Sequence, residues 1–193
     1  KFNSNHINRT GITITGLKYD LDYKISPNFG LDIPMEQISK GNGESCVLSA
    51  YSSSVINLSN HFTTSLGITA QYFTLNKNWT VEPRAALKWT FNPKHALALA
   101  YGLHSRRERL DYYFVEQEVN GKTESNRYLN FSKAHHFGLT YDWNINSYMH
   151  LKVEPYYQYL FRIPVEENSS FSIINHQSFY LERILKNRGS GVN

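Results

Sequence analysis

The residues best suited to chemistry in this sequence are two carboxylates and three cationic side chains in two alternating stretches. The first stretch carries Glu82, Arg84 and Lys88, and the second carries Lys152 and Glu154. In an extended chain, residues two apart point to the same face, so each stretch presents its charges on one side. Carboxylates beside bases can serve general acid–base catalysis. A charged face lining a water-filled space explains the same residues without catalysis.

Other chemical signals are weaker. His135 and His136 occupy adjacent positions, which point to opposite faces of a strand, and no Cys or carboxylate follows at ligand spacing. The sequence also has no nucleophile elbow and no phosphate-binding loop. We therefore predict no catalytic residue, no metal site, no cofactor and no enzymatic activity.

A basic and aromatic segment within residues 104–113 is the best candidate for contact with a substrate. It comprises His104, Arg106, Arg107, Arg109, Tyr112 and Tyr113. The alternative interpretation is a solvated loop whose cations face water or lipopolysaccharide.

Composition narrows the class of protein. The chain has 193 residues, 40% of them hydrophobic, which excludes a disordered chain. Its net charge of +4 comes from scattered Lys and Arg residues without a recognition motif, so we predict no nucleic-acid partner. Cys46 is the single cysteine, which excludes an intrachain disulfide. No apolar run has the length of a membrane helix, and no N-terminal signal sequence is present.

The stretch from Trp79 to His104 alternates between apolar and polar or small residues, with a turn at Asn92-Pro93-Lys94. This pattern predicts an antiparallel hairpin with one apolar face. A second hairpin with the same pattern is predicted around a turn at Asn146-Ser147. The apolar positions of both hairpins are Val81, Leu87, Trp89, Leu97, Leu99, Tyr101, Phe137, Leu139, Trp143, Leu151 and Val153. We predict that these residues face lipid, and that Glu82, Arg84, Lys88, Lys152 and Glu154 face a lumen.

About seven strands are predicted in all. The alternation in residues 11–23 changes phase at Gly16, which predicts a bulge there. Residues 26–45 and 162–193 are predicted as long loops, and Asn120-Gly121 predicts a hairpin turn between residues 105 and 132. Most short and long connections alternate, as in an antiparallel up-and-down transmembrane β-barrel. A soluble β-sandwich that binds ligand or carbohydrate through Tyr and Trp gives a similar pattern, and a small barrel enzyme is a third possibility.

Several short motifs resemble the barrel region of TonB-dependent outer-membrane receptors, in the branch with a carboxypeptidase-regulatory-like N-terminal domain. They occur in the family's order and spacing over most of residues 60–193. The matching stretches are Glu82-Pro83-Arg84, Tyr101-Gly102-Leu103-His104, Glu154-Pro155-Tyr156-Tyr157-Gln158, Ile163-Pro164-Val165 and Asn187-Arg188-Gly189-Ser190-Gly191-Val192-Asn193.

This resemblance implies an all-β chain in the bacterial outer membrane. Residues 1–193 would form a partial barrel domain, an incomplete segment without the plug, the signal peptide and the barrel-closing strands. It also implies import of a bound nutrient, such as a siderophore, a cofactor or a glycan. The implied partners are TonB, which would act through the missing plug, outer-membrane lipid, an extracellular small-molecule or glycan substrate, and a possible surface lipoprotein.

Overall fold

The computed structural model describes residues 4–25, 35–119, 121–166, 172 and 184–193. Within these ranges the chain forms β-strands and two 3₁₀ helices, Leu110–Phe114 and Asn126–Tyr128. The strands are β1 (His6–Ile25), β2 (Glu36–Asn57), β3 (Phe62–Phe73), β4 (Asn78–Asn92), β5 (His95–Arg106), β6 (Glu116–Val119), β7 (Lys122–Ser125), β8 (Ser132–Asn146), β9 (Met149–Val153), β10 (Tyr156–Glu166) and β11 (Leu185–Val192).

Nine strands form one antiparallel sheet. Eight of them follow the order β1-β2-β3-β4-β5-β8-β10-β11, and β9 pairs with β8 beside β10. The prediction of an all-β, antiparallel fold is confirmed. Over the described residues the sheet is open and does not close into a barrel.

The sheet has nine strands where about seven were predicted, for two reasons. The single strand predicted over residues 149–159 is divided into β9 and β10 at Pro155, which has no backbone N–H for the ladder with β8. The Pro155 carbonyl still accepts a hydrogen bond from the Leu139 amide at 3.1 Å. The second difference is β11, which lies in a segment that was predicted as loop because it is rich in Asn, Ser and Gly.

The predicted bulge at Gly16 is wrong. The pairing of β1 with β2 is continuous from Thr15 through Leu17, and the register shifts only between Tyr23 and Lys24. The apolar side chains change face without a bulge because buried residues cover only the second part of the strand, on the face opposite to Ile14. Ile14 lies on the exposed face of the sheet, whereas Leu17 packs on the other face against buried residues.

The long loop predicted over residues 26–45 is also corrected, since β2 begins at Glu36. Residues 26–34 of that loop lie outside the described residues. Gly41 and Gly43 occupy strand positions where aromatic rings cross the backbone: a Cβ on Gly41 would meet the ring of Phe114, and one on Gly43 would meet Tyr19. Close packing therefore explains glycines that suggest a loop in the sequence.

The main buried core lies at one end of the sheet, where the connection between β5 and β8 folds back over it. We call this cluster the end core; it comprises Ile38, Val47, Phe73, Tyr112, Tyr113, Val115, Leu129, Phe131 and Leu185. The rings of Phe73 and Tyr113 meet edge to face at 5.4 Å. The connection contains the predicted hairpin, β6 and β7, in which Gly121 has φ of +72°. Asn120 itself lies outside the described residues.

Candidate functional site on the polar face

The register of the sheet defines two faces. The apolar face carries Leu87, Leu99 and Leu139, which lie opposite one another on β4, β5 and β8. The polar face carries a row of residues that lie opposite one another on adjacent strands. In order from β3 to β10 they are Gly67, Arg84, Gly102, His136 and Gln158. All the predicted lumen-facing and lipid-facing residues thus separate by face, and the candidate chemistry lies on the polar one.

Glu82 is the most constrained charged group of the polar face. Its side chain is only 2% exposed and forms an ion pair with Arg84 at 2.9 Å. One carboxylate oxygen also accepts hydrogen bonds from the Gln71 amide at 2.8 Å and from the Ser105 hydroxyl at 2.5 Å. Glu82 and Arg84 were predicted from the sequence, whereas Gln71 and Ser105 were not, because neither is part of an alternating charged stretch.

The neighbouring Pro83 explains the structural role of the Glu82 carboxylate. The ladder between β4 and β5 ends at Arg84 and Gly102, next to Pro83, which has no N–H to donate. Beyond that point the Glu82 carboxylate accepts the Ser105 backbone N–H at 3.2 Å. Glu82 thus satisfies a backbone group that strand pairing leaves open, and its role in this structure is to hold the two strands together.

Two histidines lie beside this cluster. The rings of His104 and His136 meet edge to face with centroids 4.6 Å apart, and His136 Nε2 lies 3.0 Å from the Gln158 side-chain nitrogen. His104 also crosses the backbone of Gly102, where a Cβ would meet its ring at 2.7 Å. His135 points to the apolar face instead, where it stacks on Phe161 at 4.9 Å.

The remaining charges of the polar face form a separate group. Lys152 and Glu154 are 2.7 Å apart, and the Thr140 hydroxyl donates to Glu154 at 3.2 Å. Lys88 is exposed and lies opposite Thr63 and Ala98. The structure therefore separates the two predicted carboxylates into two ion pairs, Glu82 with Arg84 and Glu154 with Lys152, and Lys88 belongs to neither pair.

An open groove of about 720 Å³ runs across the polar face. Its polar lining side chains are Tyr51, Ser53, Ser65, Thr69, Arg84, His104, His136 and Tyr156. Small residues, among them Gly67, Ala86, Ala100 and Gly138, form its floor. This concave surface has the size of a small-molecule binding site. The groove is not visible in the sequence, because its residues come from six different strands.

The basic and aromatic candidate segment is split by the fold. Tyr112 and Tyr113 are buried in the end core, at 7% and 1% exposure, so they pack against protein and not at the surface. Arg106 and Arg109 are exposed, while Arg107 lies over the Phe73 ring at 5.8 Å. Glu108, which sequence analysis did not select, is buried and accepts hydrogen bonds from Ser132 and Arg106.

Burial raises the pKa of Tyr113 to about 12, and burial with the nearby Asp111 raises the pKa of Tyr112. The Tyr113 hydroxyl accepts a hydrogen bond from the Glu108 amide at 3.2 Å. Folding favours the neutral phenol of Tyr113. The contribution of this group to stability is therefore complete below pH 10.0, the ordinary tyrosine pKa, and is lost as the pH rises from 10.0 through about 12.

We expect the end core to weaken in this alkaline range. Because the pKa of Tyr113 rises from 10.0 to about 12 on folding, the free energy of unfolding should fall by up to about 2–3 kcal/mol. The measurement is denaturant unfolding across the range for the wild type and for Tyr113→Phe, which lacks the ionisable group. An equal alkaline loss in both proteins would assign the effect to other tyrosines.

The apolar face is extensively exposed. Leu99 is 57% exposed and Phe137 is 47% exposed, and no described residue forms a second layer over them. Aromatic side chains form two groups on this face. Phe62, Trp89, Phe91, His95, Tyr141 and Trp143 lie near the short turns, and Tyr101, His135, Phe137, Tyr157, Tyr159 and Phe161 lie toward the opposite end.

A polar network interrupts the apolar face at β1 and β2. The Asn8 amide donates to the Ser52 and Ser54 hydroxyls at 3.1 and 3.0 Å, and the Thr10 hydroxyl donates to Asn8 at 2.8 Å. His6 lies 3.0 Å from Ser54. These side chains hydrogen-bond to one another. Contact with an apolar medium would therefore leave few of their polar atoms without a hydrogen bond.

Among the residues that the structure describes, no three His, Cys, Asp or Glu side chains are grouped so that they would hold a metal ion. None of the helices in the described ranges has the length and apolarity required to cross a bilayer. Comparison of the chain with protein-family models, with curated proteins and with solved structures found no match.

Proposed function

We propose that this chain is part of the transmembrane barrel of a TonB-dependent receptor in the bacterial outer membrane. The observation that carries the proposal is an apolar face that the described protein leaves uncovered, with Leu99 at its centre. Exposed apolar area of this extent is typical of a surface that meets lipid or another protein. The motif resemblance described above supports the same assignment.

The spacing of the aromatic residues supports a bilayer in particular. Trp79 and Trp89 lie on the apolar face of β4, ten residues apart. At about 3.3 Å per residue they are separated by roughly 33 Å along the strand. A strand tilted by about 45° would place them roughly 23 Å apart along the membrane normal, close to the ~25 Å apolar band between the aromatic girdles of outer-membrane barrels.

The same face becomes charged where the longest strands extend beyond this band. On β1, Ile12 and Ile14 are followed at alternate positions by Lys18, Asp20 and Asp22. On β2, Glu44 lies opposite Lys18 and is exposed. Charges at this level would lie outside the hydrocarbon layer, in the head-group or aqueous region.

The open edges of the sheet also support membership of a larger barrel. Over the described residues β1 pairs on one side only, with β2, along its whole length. Unpaired edges of this length favour association with further strands. In the proposed receptor those strands would close the barrel, TonB would act through a plug, and nutrient would bind on the polar side.

Leu99→Arg tests the membrane assignment. If Leu99 lies near the bilayer midplane, the arginine should lower folding stability in lipid by about 2–4 kcal/mol. The measurement is reversible unfolding in lipid vesicles, with the fraction of folded protein followed by its heat-modified mobility on a gel.

Ala98→Arg is the matched control, because Ala98 is the neighbouring residue and faces the polar side opposite Lys88. Its arginine would reach water, so we expect a change below about 1 kcal/mol. If both variants are as stable as the wild type, Leu99 faces water and the membrane assignment fails. A soluble sandwich would instead require the protein to fold without lipid or detergent.

A further inference from the structure

Two cations without a counter-ion lie where the pairing of β8 with β10 ends. Lys133 and Arg162 are close enough for their charges to repel each other. Within the described part of the chain, neither side chain makes an ion pair or a hydrogen bond. The Glu82 carboxylate also acts on Lys133, but it is already bound by Arg84 and the other partners described above. Because Lys133 is partly buried, its charge is costly without an anion beside it.

The backbone holds Arg162 in a conformation that residues other than glycine seldom adopt. Its φ is +54°, in the left-handed region. A bulge accompanies this conformation, since the register of β10 with β11 shifts between Leu160 and Ile163. The Asn187 side-chain amide fixes the bulge by donating to the Arg162 carbonyl at 2.8 Å. Bulges redirect side chains, and strained positions are concentrated at functional sites, so a long cationic side chain at this position points to a ligand.

A pocket of about 350 Å³ lies beside Lys133, on the polar side of the sheet. Arg106, His104 and His136 also line this pocket, whereas no carboxylate from the described residues does. Arg106 is paired with Glu108 at 3.4 Å, which leaves Lys133 as the lysine or arginine of the described lining without a partner. The pocket is at the small end of the range for ligand sites, and its lining favours a compact anion.

Phosphate is the anion that best matches this pair of cations. A guanidinium binds two phosphate oxygens side by side, and a lysine ammonium binds phosphate as a point charge. A phosphate group carries about 1.5 to 2 negative charges at neutral pH, so that one group neutralises both Lys133 and Arg162. A carboxylate carries a single charge and would leave one of the two cations without a partner.

From these features we propose that Lys133 and Arg162 bind a phosphate group in this pocket. The anion removes the repulsion between the two cations and joins β8 to β10 at the point where their pairing ends. The inference goes beyond the proposed receptor function, because it depends only on the pocket and its charges. A soluble phosphate and the head group of a phospholipid share this chemistry.

The test is calorimetric titration of the purified protein in detergent, in a phosphate-free buffer of low ionic strength. The probes are inorganic phosphate, acetate at the same ionic strength, and mixed micelles that contain either phosphatidic acid or phosphatidylcholine. Saturable binding of inorganic phosphate at millimolar concentration would place the source in solution, and binding of phosphatidic acid alone would place it in the membrane. Binding of neither phosphate probe, or equal binding of acetate or phosphatidylcholine, would overturn the proposal.

Arg162→Gly locates the site, with Lys77→Gly as its matched control. Glycine adopts a positive φ without strain, so Arg162→Gly removes the cation and leaves the bulge intact. Lys77 is a second cation with a positive φ, +59°, and it is exposed in the turn between β3 and β4. We expect Arg162→Gly to weaken phosphate binding by at least about tenfold and Lys77→Gly to leave it unchanged. Equal affinity in the two variants would place the anion elsewhere.

Lys133→Gln separates ligand binding from a purely structural role. Without phosphate, this variant should be at least as stable as the wild type, because it lacks a partly buried cation that repels Arg162. Saturating phosphate should stabilise the wild type and not the variant. The measurement is denaturant unfolding with and without phosphate at constant ionic strength. Equal stabilisation of both proteins by phosphate would reject Lys133 as a ligand.

The outcome is separable from that of the membrane test. Phosphate binding together with an unaffected Leu99→Arg variant would retain the anion site and reject the membrane assignment. A destabilised Leu99→Arg variant that binds neither phosphate probe would retain the membrane assignment and reject the anion site.

Discussion

Phe73→Ala is expected to destabilise the protein by about 3–5 kcal/mol, because a fully buried aromatic side chain leaves a cavity when it is truncated. Phe73 is 1% exposed and joins the end of β3 to Tyr113 in the connection between β5 and β8. The Arg107 guanidinium also lies over the Phe73 ring, 5.8 Å from its centroid. Loss of this ring should therefore release that connection from the sheet.

Two measurements check this expectation. Denaturant unfolding gives the change in stability, and limited trypsin digestion reports release of the connection through cleavage at Arg107, Arg109 or Arg127. Tyr128→Ala is the control, since Tyr128 belongs to the same connection but is largely exposed, and it should change stability by less than about 0.5 kcal/mol. A Phe73→Ala protein with wild-type protease resistance would show that the connection is held by other contacts.

Glu82→Ala is expected to cost about 3–5 kcal/mol, the usual effect of removing one partner from a buried ion pair. Gln71 and Ser105 would lose the acceptor they share, and Arg84 would lose its counter-charge. The Arg84 side chain is half exposed and can be hydrated, which favours the lower end of this range. The Ser105 amide would also lose its partner beside Pro83.

Glu82→Gln distinguishes hydrogen bonding from charge. The amide oxygen can still accept from Gln71 and Ser105, so we expect a smaller loss of about 1–2 kcal/mol. Glu44→Ala, at an exposed strand position, should be nearly neutral. Hydrogen exchange of the Ser105 amide gives a local readout, which should accelerate in Glu82→Ala more than in Glu82→Gln. If Glu82→Ala is as stable as Glu44→Ala, the strand-joining role of Glu82 is refuted.

Glu82 and Phe73, the positions with the two largest expected losses of stability, differ in what the sequence shows of them. Glu82 was selected because charges at alternate positions are visible within one strand. Phe73 was not selected, since its burial comes from residues near position 113, which approach it only in the folded chain. Tyr112 and Tyr113 were expected in an exposed loop, and they are buried for the same reason.

Sequence alone determined the all-β class, the alternation in β4, β5 and β8, and the turns between them, because these depend on side-chain direction and on local backbone preference. Tertiary structure decided the regular pairing of β1 at Gly16 without a bulge, the strand positions of Gly41 and Gly43, and the existence of β11. Each of these depends on what covers a face or pairs with an edge, and such contacts join residues far apart in the chain. The groove is a product of register, which places small residues and polar side chains from several strands on one face. The end core forms because the connection between β5 and β8 folds back over the sheet.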